Sequence, residues 1–305
     1  MKNDYEHAIS VSGLTKSFGS VKAVDGLTFS VGRGEFFGFL GVNGAGKSTT
    51  INMLSTLISP TGGSAEICGG VLGKDDGEIR RKIGIVYQGN CLDDMLTVRE
   101  NLMLRGKLYG AGTSECAAEF DRVCEILSLN DVAEKRYKKL SGGQKRRCEI
   151  AAALMHSPEL LFLDEPTTGL DPATRRSVWE TITEMRKACG MTVFLTTHYM
   201  EEAAEADRIV IIDRGRICAK GTPFELKEQF ARDKLRLYTE KELTLEGLRR
   251  EPYGYSAELD GTLRSLDILD RVRGDVAGFE VIGGTMDDVF LNAAGRKLEN
   301  TEVLS

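Results

Sequence analysis

The stretch that most constrains this chain is Glu35-Phe36-Phe37-Gly38-Phe39-Leu40 running into Gly41-Val42-Asn43-Gly44-Ala45-Gly46-Lys47-Ser48. Its second half fits G-x-x-x-x-G-K-[ST] at every position. The apolar run before it reads as a buried strand, and Ser48–Leu57, with Ile51, Leu54 and Leu57 at helical spacing, reads as a helix. Strand, glycine loop, helix is the setting a phosphate-binding loop needs. The glycines let backbone N–H groups converge on phosphate oxygens and the helix presents its positive end. Over Gly41–Thr49, Lys47 reaches the β- and γ-phosphates and Ser48 is placed to ligand Mg²⁺. Such a loop signals a nucleotide and nothing narrower, since unrelated hydrolases share it.

Around this loop the chain alternates. Ala8–Val11 and Val24–Val31 read as short strands, and from Thr97 to about Ser157 the apolar spacing is helical. Strands return at Leu160–Leu163, Val193–Thr196 and Ile209–Ile212, separated by helical stretches Pro172–Cys189 and Met200–Ala206, the signature of a mostly parallel sheet with crossover helices. Beyond about Lys227 the texture changes. Leu235 and Leu237 alternate, Ser256–Leu259 and Thr262–Arg264 flank an Asp260-Gly261 hairpin signal, Phe279–Ile282 is a further strand, and Thr285 with Asp288 forms a capping box for a helix Met286–Ala294. The expected fold is α/β, a P-loop core with a helical subdomain at about 92–157 and a small α+β appendage. The expected limits are 1–226 for the main domain and 227–305 for the appendage.

Two more constellations carry chemistry. Leu160-Leu161-Phe162-Leu163 ends in Asp164-Glu165. Asp164 sits where a carboxylate would hold Mg²⁺, and Glu165 beside it is positioned to take a proton from an attacking water; adjacent acids after a strand also serve as plain turn residues. Leu140-Ser141-Gly142-Gly143-Gln144 precedes a helical stretch. A serine N-cap followed by two glycines leaves N–H groups bare, which makes a second anion site or simply a capped helix.

With the phosphate loop, LSGGQ and the apolar strand ending in Asp164-Glu165 in this order, residues 8–225 resemble the ATP-binding cassette ATPases. LSGGQ discriminates, since other P-loop families lack it. The resemblance implies that the core is a P-loop nucleotide hydrolase (RecA-like) with an N-terminal antiparallel β-subdomain. The resemblance implies that Phe18 stacks on adenine and that Gln88 touches Mg²⁺ or the attacking water and links to a membrane partner. It also implies that Asp171 communicates across a dimer and that His198 contacts the γ-phosphate. It implies a cassette dimer, of identical or different chains, in which Gly41, Asn43, Gly44, Ala45, Gly46, Lys47, Ser48 and Thr49 of one copy and Ser141, Gly142, Gly143 and Gln144 of the other enclose ATP. The implied catalytic set is Glu165, His198, Lys47 and Gln88, with Ser48, Gln88 and Asp164 at Mg²⁺.

The tail Gly284-Thr285-Met286-Asp287-Asp288-Val289-Phe290-Leu291 and the segment 91–102 after Gln88 are similar to bacterial antibiotic-resistance exporters of the daunorubicin type, although Gly284 and Met286 depart from the usual tail pattern. That likeness implies an ATPase subunit driving export of a drug-like or other small molecule through a separate transmembrane permease. A soluble mechanochemical factor is the alternative, but such relatives join two cassettes or insert a long coiled coil. The net charge of −6, with both signs mixed along the chain, argues against nucleic acid. Seven widely spaced cysteines without C-x-x-C suggest neither disulfides nor zinc. No apolar run reaches the ~18–20 residues of a membrane span, and the N-terminus lacks a signal-peptide core. The expected location is the cytoplasm, peripheral on the inner face of the cell membrane.

Overall fold

The structure, a computed structural model, describes residues 5–295. Residues 1–4 and 296–305, which fall inside the expected domain limits, lie outside the described residues. The chain opens with two long strands, β1 (His7–Phe18) and β2 (Val21–Gly32), followed by β3 (Phe36–Leu40), α1 (Lys47–Leu54), β4 (Gly62–Ile67), β5 (Gly70–Val71), α2 (Asp76–Lys82) and β6 (Ile83–Val86). Helices α3 (Val98–Leu108), α4 (Thr113–Ile126) and α5 (Gly142–Leu154) come next. They lead into β7 (Leu160–Asp164), α6 (Pro172–Cys189), β8 (Thr192–Thr197), β9 (Arg208–Asp213), β10 (Arg216–Gly221) and α7 (Pro223–Phe230). The last part holds β11 (Asp233–Tyr238), β12 (Arg249–Glu251), β13 (Gly254–Leu259), α8 (Arg264–Val272), β14 (Gly278–Ile282) and α9 (Met286–Ala293).

Three sheets form. One is antiparallel, ordered β2-β1-β4-β5; the second has six strands ordered β10-β9-β3-β8-β7-β6; the third is ordered β12-β13-β11-β14. In the second sheet β6, β7, β8, β3 and β9 run parallel and only β10 is antiparallel. Every residue of β3, β7 and β8 is buried, as expected of parallel strands covered on both faces. Phe29 of β2 lies 5.6 Å from Phe37 and 6.2 Å from Phe194, centroid to centroid, so an aromatic cluster joins the antiparallel sheet to the face of the parallel one. The opposite face is covered by the helical segment and α6.

The expected core, antiparallel subdomain, helices and α+β appendage are all present. Two local expectations change. Asp260-Gly261 does not turn into a second strand: Ser265, Ile268, Leu269 and Val272 recur at helical spacing, and α8 begins at Arg264. Met200–Ala206 carries only a single 3₁₀ turn, Met200–Ala203, because its flanks are tied to strand ends: the Tyr199 N–H donates to the Thr197 hydroxyl at 2.9 Å and the Asp207 N–H to the Phe36 carbonyl at 2.8 Å. Strands β4 and β5 show no alternation because they open on glycine, and β10 alternates only Ile217 with the small Ala219.

Helix α9 forms behind the expected capping box, with the Thr285 hydroxyl accepting from the Asp288 N–H at 3.2 Å and Asp288 Oδ2 accepting from the Thr285 N–H at 3.0 Å. It leaves the third sheet and packs Met286, Val289 and Phe290 into the core beneath α7 and residues 200–203. A side chain at Gly284 would bring its Cβ within 2.6 Å of Ala231, so the return to the main body leaves room only for glycine there.

Candidate functional site

A parallel sheet delivers the C-terminal ends of its strands to one edge, and loops leaving that edge are where ligands bind in open α/β folds. Here the edge collects four loops: Gly41–Ser48 after β3, Asp164-Glu165 at the end of β7, His198 after β8, and Tyr87-Gln88 after β6. The register pairs Leu40 with Thr197, Leu163 with Leu195 and Val86 with Leu163, so sequence-distant motifs line up side by side.

The phosphate loop is shaped by close backbone approach. A Cβ on Gly46, whose φ is 109°, would sit 2.5 Å from the Ala23 carbonyl oxygen, and one on Gly41 would sit 2.6 Å from that of Ile212. Gly46 is the N-cap of α1 and carries no side chain to satisfy the first-turn N–H groups, which are therefore free for an anion. Asn43 and Gly44 are exposed at the loop tip while Ala45 is buried beneath it. Lys47 is buried and folds back, donating to the carbonyls of Gly41 at 2.7 Å and Val42 at 3.2 Å.

Lys47 Nζ also lies 3.2 Å from Glu165 Oε1. The other oxygen, Oε2, accepts from the Thr168 hydroxyl at 3.1 Å and lies 3.1 Å from His198 Nδ1. Burial would raise the Glu165 pKa, but Lys47, His198 and Thr168 together hold it below the ordinary glutamate range. Glu165 itself adopts φ 47°, a left-handed conformation that a β-carbon tolerates poorly, and its N–H is fixed by the Thr196 carbonyl at 3.0 Å. Asp164 accepts from the Thr196 hydroxyl at 2.6 Å and from Ser48. Burial dominates there and pushes its carboxyl up, with the Glu165 charge adding to the rise.

The structure therefore brings together Lys47, Ser48, Asp164, Glu165 and His198. Gln88 shares their edge of the sheet, whereas Ser141–Gln144, Asp171 and Phe18 make no hydrogen bond to these five among the described residues. Ser141 caps α5, its hydroxyl accepting from the Gln144 N–H at 3.3 Å and its own N–H donating to Gln144 Oε1 at 3.0 Å. Ser141 and Gly142 are exposed and, among the described residues, make no hydrogen bond to Gly41–Thr49. The glycines lie instead beside the Asp171 region: a Cβ on Gly142 would meet Leu170 at 3.4 Å, and one on Gly143 would meet Thr174 of α6 at 2.8 Å. Asp171 caps α6 through Oδ1, which accepts from Ala173 and Thr174 N–H groups at 3.1 and 3.0 Å. Phe18 ends β1 with its ring 52% exposed and Lys16 Nζ 5.2 Å from its centroid. Gln88 is exposed just past β6.

Sequence reasoning missed the residues that hold these in place. Thr196 fixes both acids. Tyr199 packs its ring 4.1 Å from that of His198, and the Arg175 guanidinium lies over the Tyr199 ring, 3.9 Å from its centroid. Glu202, buried, accepts from the hydroxyls of Thr167 and Thr197. Tyr199 and Glu202 follow His198 by one and four residues, a proximity a wider search around the histidine would have flagged.

The family model described as "ABC transporter" matches residues 24–168. The chain is 38% identical, over an alignment of 318 residues covering 98% of it and 96% of the relative, to the daunorubicin/doxorubicin resistance ATP-binding protein DrrA of Streptomyces peucetius. Among solved structures, cbiO1 of Clostridium perfringens, described as part of the ABC transporter complex cbiONQ, matches with TM-score 0.68 and 28% identity over 73% of this chain and 91% of that one. The ATP-binding cassette MJ0796, solved as a dimer in a post-hydrolysis state bound to ADP and Pi, matches with TM-score 0.62 and 28% identity over 70% and 98%. With a nearly full-length relative at this identity and the phosphate loop, acidic pair and LSGGQ helix all in position, the chain belongs to the ATP-binding cassette family of ABC transporter ATPases.

Proposed function

We propose that this chain is the ATP-hydrolysing subunit of an exporter for drug-like or other small molecules, coupled to a separate transmembrane permease and seated on the cytoplasmic face of the cell membrane. The observation that carries the chemistry is the convergence of Lys47 and His198 on the two oxygens of Glu165 at the carboxyl edge of a parallel sheet. Export is supported by the resistance function named for DrrA and by similarity that continues through the C-terminal appendage. No helix among the described residues is long and apolar enough to cross a membrane, and the passage is assigned to the permease. The cassette is taken as 1–226, with its helical part at about 92–157, and the appendage as 227–305; α7 runs across that limit.

The cassettes act in pairs. Gly41–Thr49 of one copy cradles the phosphates while Ser141–Gln144 of the other caps them, and Phe18 stacks on adenine. This reading accounts for an LSGGQ helix whose bare N-terminus is exposed and separated from its own phosphate loop. The Ser48 hydroxyl and the Asp164 carboxylate, in contact with each other, are hard oxygen donors of the kind that suit Mg²⁺ alongside substrate phosphates, and with Gln88 they would hold it. When bound, that ion neutralises phosphate charge. Lys47 moves from Glu165 to the β- and γ-phosphates, the Glu165 carboxylate accepts a proton from water, and His198 orients the γ-phosphate and the water. Asp171 carries the state of one site toward the other copy.

The test is co-purification with a membrane protein of about six apolar spans, followed by ATPase measurement against candidate drugs. Stimulated turnover that Lys47→Ala abolishes is expected; Lys47→Ala chains hydrolysing ATP as fast as native would sink the reading.

A further inference from the structure

The LSGGQ helix carries two buried charged side chains, three residues apart, that the chemistry above does not use. Arg146 and Glu149 are each 5% exposed. Arg146 Nη1 donates to the Tyr87 carbonyl at 2.6 Å. Glu149 Oε1 accepts from the N–H groups of Cys91 at 2.8 Å and Leu92 at 3.1 Å, and from the Tyr137 hydroxyl at 2.7 Å. One helix face thus grips the backbone on both sides of Gln88-Gly89-Asn90, three exposed residues.

On its strand side this segment continues β6, whose Val86 is fixed to Leu163 in the sheet. On its other side Asp93 is fixed to α3, its N–H donating to Asn101 Oδ1 at 2.9 Å and its carbonyl accepting from Asn101 Nδ2 at 3.0 Å. Gln88 therefore hangs between the sheet and the helices, and α5 is the element that reaches both flanks. The grip is made at a cost in unsatisfied groups: Nε and Nη2 of Arg146 are buried without partners, so the guanidinium is poorly used as a stabilising group. The hydrogen bond it does make among the described residues is the one that holds the Tyr87 carbonyl.

We propose that Arg146 and Glu149 are positioning residues for Gln88: they tie its place at the sheet edge to the stance of α5, the same helix whose N-terminus meets the other copy's nucleotide. A shift of α5 on closure of the dimer is passed through these bonds to the Gln88 segment, so that the chain's own hydrolytic site registers engagement of its LSGGQ end. The inference rests on the role given above to Gln88.

The test is a double-mutant cycle on the full-length chain. Glu149→Met keeps volume but removes the acceptor. It is expected to lower kcat about tenfold with KM for ATP changed less than about twofold, as for a misplaced group acting after binding. Glu149→Gln, which keeps a carbonyl oxygen for the three donors, recovers most of that loss. In a Gln88→Ala background, itself slowed, Glu149→Met adds no further loss, since both act through one group. Arg146→Met, at the other flank, shows the same non-additivity and serves as an independent variant should Glu149→Met fold poorly by circular dichroism. Losses that simply multiply would overturn the proposal, as would unchanged kcat in both Glu149→Met and Arg146→Met. If Gln88→Ala alone leaves kcat intact, the role of Gln88 falls and the proposal with it.

Discussion

Lys47 Nζ and Glu165 Oε1 lie 3.2 Å apart, both side chains almost wholly buried, so that the cation proposed to reach phosphate and the proposed base are paired with each other. A buried charge left alone is costly, and this pairing spares both groups that cost until a triphosphate arrives. Lys47 has two other tethers, the carbonyls of Gly41 and Val42, and phosphate oxygens entering the loop compete with all three. Taking Lys47 away from Glu165 removes the main force lowering its pKa, so binding itself makes the carboxylate a better proton acceptor.

Replacing Lys47 by Met exposes that coupling in the ATP-free chain. In the native chain the Glu165 carboxyl titrates below its ordinary value of 4.5, so its stabilising contribution is present above that pH and is lost as the pH falls through the lowered value. In Lys47→Met burial is opposed only by His198 and Thr168, and the titration moves upward. Carbon-13 NMR of the side-chain carboxyl reads both positions; an unmoved titration would show that the ion pair does not control the base.

Glu165→Gln keeps the shape of the site and removes the proton acceptor. ATP affinity is expected to remain while turnover drops by ~10²- to 10⁴-fold, the usual span for general-base loss. Because nucleotide then persists, size-exclusion chromatography should show a dimer with ATP and a monomer without it. Full hydrolysis by this variant rules Glu165 out as the base.

Asp164→Asn separates stability from function. Burial raises the Asp164 pKa, so the folded chain binds a proton more readily than the unfolded one, and the carboxylate weakens the fold as the pH rises past the ordinary 3.8 and on through the raised value. The amide keeps the oxygen that accepts from Thr196 but sheds the charge. Thermal denaturation at neutral pH should show an ATP-free melting temperature higher by a few degrees, with Mg²⁺-dependent ATPase lost. A lowered melting temperature contradicts the burial argument.

How much of this was legible beforehand follows from what is local. The phosphate loop, the Asp164-Glu165 pair and the Ser141 cap are contiguous motifs whose geometry is set within a few residues, and each stands where its residues imply. The shared sheet edge was implied by strands alternating with helices, but the register that sets Leu163 beside Val86 was not. The grip of Arg146 and Glu149 joins residues more than fifty positions apart, and no periodicity marks it. The Asp260-Gly261 signal misled because a tight turn fixes only its own dihedrals; whether strand or helix follows depends on the apolar spacing beyond it, and Ile268, Leu269 and Val272 decided for the helix.

Arg175, one turn into α6 from Asp171, covers Tyr199 at 3.9 Å, and Tyr199 in turn abuts the His198 ring. Its removal takes away a contact that holds the Tyr199 ring, and so loosens the histidine without touching the phosphate loop. Arg175→Ala should therefore lower kcat by ~3- to 10-fold at unchanged ATP affinity, while stability falls by about 1 kcal/mol or more, since the variant loses the cation–π contact and also the cation 3.9 Å from the buried Glu202 carboxylate. A raised KM at constant kcat would place its effect in nucleotide binding and reject the stacking route.

Phe290 tests whether α9 is part of the main body or an ornament of the appendage. It is 6% exposed, packs with Met286 and Val289 into the core under α7, and Asn292 Nδ2 at the end of the same helix donates to the Phe230 carbonyl at 2.6 Å. Truncating a buried phenylalanine leaves a cavity that surrounding side chains fill only in part, at about 3–5 kcal/mol. Phe290→Ala should lose that much stability in urea denaturation and should lower the transition of the whole cassette, since the cavity opens in the core shared with β3 and α6. If only a minor transition belonging to the third sheet shifts and ATPase melting is unaffected, α9 closes the appendage alone and its burial against α7 contributes nothing to the cassette.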